Sequence, residues 1–311
     1  MPNEKKKYQL VTRSDMDGLV CAVLLKERGM IDKIKFAHPK DVQDGKLALT
    51  ENDITANLPY AESVYMAFDH HASEPIRVKE GKSNHIVDPK APSASSVIYN
   101  YFGGKKAFAN FPEDMLTAVD KADSAQYTME DVLSPKDWVL LSFLMDARTG
   151  LGRFKTFTIP NYDLMMALID YCRDHSIDDI IKLPDVKERV ELYFEHEAKF
   201  KEQIKRCSTM HGNLVVLDLR NEEIIYAGNR FMLYALFPQA AISMHVIWGM
   251  QKQNTVFAVG RSIFKRTSTL SIGALMLEYG GGGHEAAGTC QIDNDKADAV
   301  KQKLIERLGG G

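Results

Sequence analysis

The chain has 311 residues, 45% hydrophobic and 26% charged, with a formal net charge of -3. That length admits two domains of an ordinary globular protein, and the slightly acidic balance argues against a long nucleic-acid duplex as partner while leaving room for a small phosphorylated ligand. No apolar stretch is long enough for a bilayer, the first residues do not lead into a signal-like segment, and the cysteines Cys21, Cys172, Cys207 and Cys290 show no paired spacing, so a reduced cytoplasmic protein without a membrane partner is expected.

Residues 8–12 read as a buried strand, and residues 18–26, apolar on all sides, as a buried helix. Strands follow at 33–37 and 64–68, with a short one at 86–87, and helices at 93–101 and 114–123. This alternation predicts a parallel sheet flanked by helices, whose ligands gather at the carboxyl ends of the strands. After Trp138 the chain reads as mainly helical to about residue 182. A polar-rich stretch at 185–207, with Val186, Val190, Tyr193, Phe194, Phe200 and Ile204 as its apolar stripe, reads as a connector helix. Beyond Gly212, strands at 214–217, 241–248 and 255–259 and a helix at 271–278 describe a smaller α/β domain. The expected division is therefore 1–184, connector 185–211, and 212–311.

Four clusters carry chemistry. Asp15 and Asp17 close the first strand with one residue between them, which on a strand places both carboxylates on one side. Such a pair repels itself unless a cation neutralises it; an acidic turn before a helix would use the same residues. Asp69-His70-His71 ends the strand-like run at 63–68 and offers mixed oxygen and nitrogen ligands to a divalent ion, manganese better than a structural zinc. On an extended chain the adjacent histidines face opposite ways, so one can bind metal while the other holds a carboxylate or phosphate. Asp120 and Asp123 share a face of the helix at 114–123, where a solvated face explains them equally well. Four glycines at 280–283 precede His284 and allow a phosphate to approach backbone N–H groups. Arg261, after a strand, is a candidate phosphate clamp, and Asn229 and Arg230 are candidate ligand contacts.

In this order the motifs resemble the DHH phosphoesterase superfamily, in its branch with a C-terminal DHH-associated domain. Residues 12–18 look like the first motif, Asp69-His70-His71 the signature, Asp120 a later acidic motif, and residues 280–284 the substrate loop of the associated domain. The resemblance implies an N-terminal parallel-sheet DHH domain that holds manganese, with magnesium as the alternative, through Asp15, Asp17, Asp69, His70, His71 and Asp120. It implies Arg13, Asp15, Asp17, His70 and His71 as the catalytic set, and Arg261, Gly281, Gly282, Gly283, His284, Asn229 and Arg230 as the substrate-binding set. The expected activity is hydrolysis of short linear oligonucleotides, in particular dinucleotides such as pGpG, to mononucleotides, and a homodimer is compatible with it. An exopolyphosphatase with the same centre and a non-catalytic nucleotide sensor are the alternatives. The chain departs from the family pattern at Arg13, where histidine is usual, and at Asn57, where aspartate is usual. Both changes replace the charge of a lost divalent cation, which leads to the expectation of one metal near Asp17, His70 or His71, and Asp120.

Overall fold

A computed structural model of the protein describes residues 6–71, 74–79 and 81–310. The chain forms two compact units. The first comprises Met1–Gln126, Lys136–Ala147 and Leu151–Glu191, and the second Tyr127–Pro135, Arg148–Gly150 and Leu192–Gly311. The helix Pro184–Cys207 contributes residues to both.

The first unit is built on a five-stranded, all-parallel sheet: β1 (Tyr8–Thr12), β2 (Ile31–Phe36), β3 (Asp53–Ala56), β4 (Met66–Asp69) and β5 (His85–Val87), in the order β2-β1-β3-β4-β5. Leu10 and Val11 are fully buried on opposite faces of β1, as a central parallel strand requires. The helix Met16–Glu27 has no polar stripe because residues 16–25 are all buried. It packs against the helices Ala94–Tyr101, Glu113–Asp123 and Asn161–Asp174. Burial of Leu19, Val20, Leu24 and Leu25 stabilises this packing by roughly 1.5–3 kcal/mol per side chain.

Strand register places the site. Thr12 is level with Ala56, and Ala56 with Phe68. The next residues, Arg13, Asn57 and Asp69, therefore emerge side by side at the carboxyl ends of three adjacent strands. The chain then turns sharply into its first helix. A Cβ on Gly18 would sit 2.0 Å from the Arg13 carbonyl oxygen, so only glycine fits there.

The second unit carries a six-stranded mixed sheet in the order β10-β11-β9-β8-β7-β6, with β6 (Ser208–His211), β7 (Leu214–Asp218), β8 (Ile242–Trp248), β9 (Thr255–Arg261), β10 (Gly282–Gly283) and β11 (Ala287–Ile292). Only the β7–β8 pair is parallel. Alternation along β7 sends Leu214 and Val216 into a core with Met244, Phe257, Met276 and Leu304, and Val215 and Leu217 into another with Phe200, Ile204, Met232 and Leu233. The fold class is the one the sequence implied, with β3, β6, β10, β11 and the helix Asn294–Gly309 added to it.

Candidate active site

Asp15 caps the helix Met16–Glu27: its Oδ1 accepts from Gly18 N at 2.9 Å. The same oxygen accepts from Asn57 Nδ2 at 3.3 Å, and its Oδ2 lies 3.0 Å from Arg13 Nε. Asp17 points instead into the protein and is 2% exposed. Its carboxylate accepts from Ala94 N (3.0 Å), Ser95 N (2.8 Å) and Ser95 Oγ (2.6 Å), the amino-terminal groups of the helix Ala94–Tyr101. Burial, followed by the nearby charge of Asp123, pushes its pKa up to about 7.

His70 supplies the neighbouring ring. Its Nδ1 donates to the Ala91 carbonyl at 3.3 Å, which directs Nε2 to the carboxylates. Nε2 lies 2.9 Å from Asp123 Oδ2, yet it is buried without an aligned hydrogen bond. Burial by itself would lower the His70 pKa; contact with Asp123 and the charges of Asp17 and Asp69 overcome it and raise the value to about 9. Donor atoms of Asp17, His70 and Asp123 all lie within 4.8 Å of one another. Two carboxylates and an imidazole fixed by a backbone carbonyl suit a divalent ion of the manganese or magnesium kind. Asp69, His70 and His71 form a second such group. Asp69 Oδ1 is already engaged there by His70 N at 2.8 Å and His71 Nδ1 at 2.6 Å, so this carboxylate orients the loop and the His71 ring.

Asp120 has a different place. Its carboxylate accepts from Ser93 Oγ at 2.6 Å and from Ser96 Oγ at 2.8 and 2.9 Å, and it belongs to neither donor group. Asp123, one turn later, is the carboxylate of this helix that is grouped with Asp17 and His70. Asp15 likewise stands outside both groups.

The remaining nominated residues belong to the second unit. The glycine loop is packed. Gly280 adopts φ +75° after the helix Ile272–Glu278, and Gly281 N donates to Met276 O at 2.9 Å. A Cβ on Gly281 would meet Thr289 O at 2.0 Å, and one on Gly283 would meet Ala287 O at 2.3 Å. His284 N donates to Ala287 O, so the Gly281 and His284 amides serve the loop rather than a phosphate, while the His284 side chain is exposed. Arg261 Nη1 donates to Ser268 O at 3.2 Å, and its Nη2 is 3.5 Å from Glu285. Arg230 lies over the Phe231 ring, 4.1 Å from its centroid. Asn229 is not a surface contact. It is 1% exposed, donates to Val132 O and Tyr193 OH, and accepts from Met232 N at 3.0 Å, which pins the start of a helix.

A solved structure from Vibrio cholerae, described as the pGpG-specific phosphodiesterase PggH, is 59% identical to this chain with a TM-score of 0.83, over 97% of this chain and 99% of that one. The chain belongs to the DHH-family phosphoesterases. A solved Mn2+ complex of RecJ from Thermus thermophilus is 12% identical with a TM-score of 0.51, over 97% of this chain and 52% of that one, a likeness of fold alone. No family model and no curated protein matches the chain. As a DHH-family phosphoesterase, the chain takes its signature triplet from the end of β4, level with Val87 of β5. The acidic residue from the later helix that reaches this triplet is Asp123, a position the sequence offered through its i, i+3 pairing with Asp120.

Proposed function

We propose that this chain is a divalent-metal-dependent phosphodiesterase that hydrolyses pGpG and similar linear dinucleotides to mononucleotides. The observation that carries the reading is 59% identity, over nearly the full length of both chains, to a protein described as pGpG-specific. The donor set supports it. Asp17, His70 and Asp123 would hold the ion, with manganese preferred over magnesium for its tolerance of mixed imidazole and carboxylate ligands. When bound, the ion supplies Lewis-acid charge at the phosphoryl group and activation of water.

The protein's own groups do the rest. The amides of Ala94 and Ser95 fix the Asp17 carboxylate, and the Ala91 carbonyl fixes the His70 tautomer. Asp69 holds the His71 ring by Nδ1 and so sets Nε2 to move a proton to or from a phosphate-ester oxygen. Arg261 and His284 are the phosphate-binding candidates of the second unit. No helix among the described residues is long and apolar enough to cross a membrane, and with free cysteines this supports a cytoplasmic enzyme.

The test is incubation of the purified chain with Mn2+ and, separately, pGpG, polyphosphate and an artificial aryl phosphodiester. GMP release from pGpG is the expected outcome. Phosphate release from polyphosphate alone would replace this reading with an exopolyphosphatase, and dinucleotide binding without turnover would replace it with a sensor.

A further inference from the structure

We infer that the catalytic centre holds one divalent ion and that Arg13 is its second, covalently tethered cation, the clamp for the non-bridging phosphoryl oxygens. The inference rests on the phosphodiesterase reading above and specifies how that site is charged.

Three observations carry it. First, the two potential donor groups are not independent, because both require His70. Its Nδ1 is committed to the Ala91 carbonyl, which leaves Nε2 as its one ligating atom. Asp69, the only carboxylate of the second group, is held by His70 N and by the His71 ring. The single remaining His70 nitrogen can serve one ion, and the donor group it forms with Asp17 and Asp123 supplies two carboxylates to that ion.

Second, Asp15 is unavailable as an anchor for another ion. Its Oδ1 serves Gly18 N and Asn57 Nδ2, and its Oδ2 faces Arg13 Nε. Asn57 is fully buried with a left-handed backbone, φ 55°, so its neutral amide is locked against that carboxylate. A second carboxylate in place of this amide would repel Asp15, and the pair would then demand a cation.

Third, Arg13 is placed to act on substrate. It engages Asp15 through Nε, and its side chain is 32% exposed. A guanidinium engaged through Nε keeps two Nη groups, whose fork matches two oxygens of one phosphoryl group. Lysine, a point charge on a flexible stem, could not hold that fork.

The experiment counts metal and measures substrate binding apart from turnover. Wild-type protein, loaded with Mn2+ and desalted, should carry one ion per chain by elemental analysis and give the EPR spectrum of an isolated ion. The Arg13→His/Asn57→Asp double variant should bind a second ion and show the spectrum of an exchange-coupled pair. Arg13→Ala should keep one ion but bind pGpG at least about tenfold more weakly in metal-free buffer, as loss of a charged phosphate contact implies; Arg13→Lys should recover only part of that loss. Two ions in the wild-type chain, or wild-type dinucleotide affinity in Arg13→Ala, would overturn the inference. The wild-type count decides the question even if the double variant fails to fold. One ion per chain without pGpG turnover would remove the proposed activity and leave the charge assignment standing, whereas two ions with turnover would do the reverse.

Discussion

Asp123 Oδ2 stands 2.9 Å from His70 Nε2, while Asp120, one turn earlier on the same helix, is held by the hydroxyls of Ser93 and Ser96. The two aspartates therefore have separable roles. Asp123→Asn should weaken Mn2+ binding by at least about 100-fold, since a ligating carboxylate matters at least as much as its supporting partners. Asp120→Asn should retain the metal and cost about 1–2 kcal/mol of stability through weakened hydrogen bonds to an ionised acceptor. Calorimetric titration with Mn2+ and denaturant melts of both variants check this, and the opposite ranking would reassign the ligand.

Metal binding at this centre competes with protons. Asp17 is raised from an ordinary 3.8 to about 7, and His70 from 6.5 to about 9. In the metal-free protein both raised values favour the protonated form in the fold. Their stabilisation is complete below the ordinary values and is lost as pH rises through about 7 for Asp17 and about 9 for His70. Mn2+ affinity should therefore rise with pH over this window, with proton release on binding. Titrations in buffers of different ionisation enthalpy measure that release; a pH-independent affinity would contradict it.

Asn229→Ala should destabilise the protein by about 2–3 kcal/mol, because the groups of Val132, Tyr193 and Met232 lose a buried partner. The Michaelis constant for the dinucleotide should not change. A raised Michaelis constant at unchanged stability would restore Asn229 to the ligand.

Gly281→Ala should disturb the loop, since its Cβ would stand 2.0 Å from the Thr289 carbonyl oxygen, which belongs to the backbone of β11. On the proposed substrate role of His284, kcat/KM should fall about 10- to 100-fold, with the ion content unchanged. Parallel kinetics and elemental analysis separate this result from a general folding defect.

In the second unit, Asp218 is held down to about 2: burial opposes its charge, and hydrogen bonds from Arg220 and Lys301 overcome that. A depressed carboxylate stabilises the fold above its ordinary value of 3.8 and loses that contribution as pH falls through about 2. Asp218→Asn should thus be less stable than wild type by about 1 kcal/mol at neutral pH, after discounting for solvent screening. The gap should close towards about pH 2 in urea melts taken across that range.

The sequence was most legible where pattern and position coincide. The first strand, the buried helix after it and the Asp69 triplet were readable because apolar runs end abruptly in acidic residues. β3 was not, because its four residues are buried on both faces and include Asp53, whose carboxylate is satisfied by Gln9 and Thr50. No alternation can appear in such a strand. The choice between Asp120 and Asp123 was equally hidden, since both lie on one helical face and the serines that claim Asp120 come from another helix. Asn229 looked like a ligand contact because a polar residue beside an arginine carries no mark of burial; its partners come from Val132 and Tyr193, far away in the chain.

The level alignment of Thr12, Ala56 and Phe68 across β1, β3 and β4 has a kinetic implication. A slip of one residue along any of these strands would reverse the facing of its side chains and dismantle the charged rim together with the interior. Competence to capture an ion should consequently appear late in refolding, once the third of these strands has docked, and the cation itself can serve as the clock for that event.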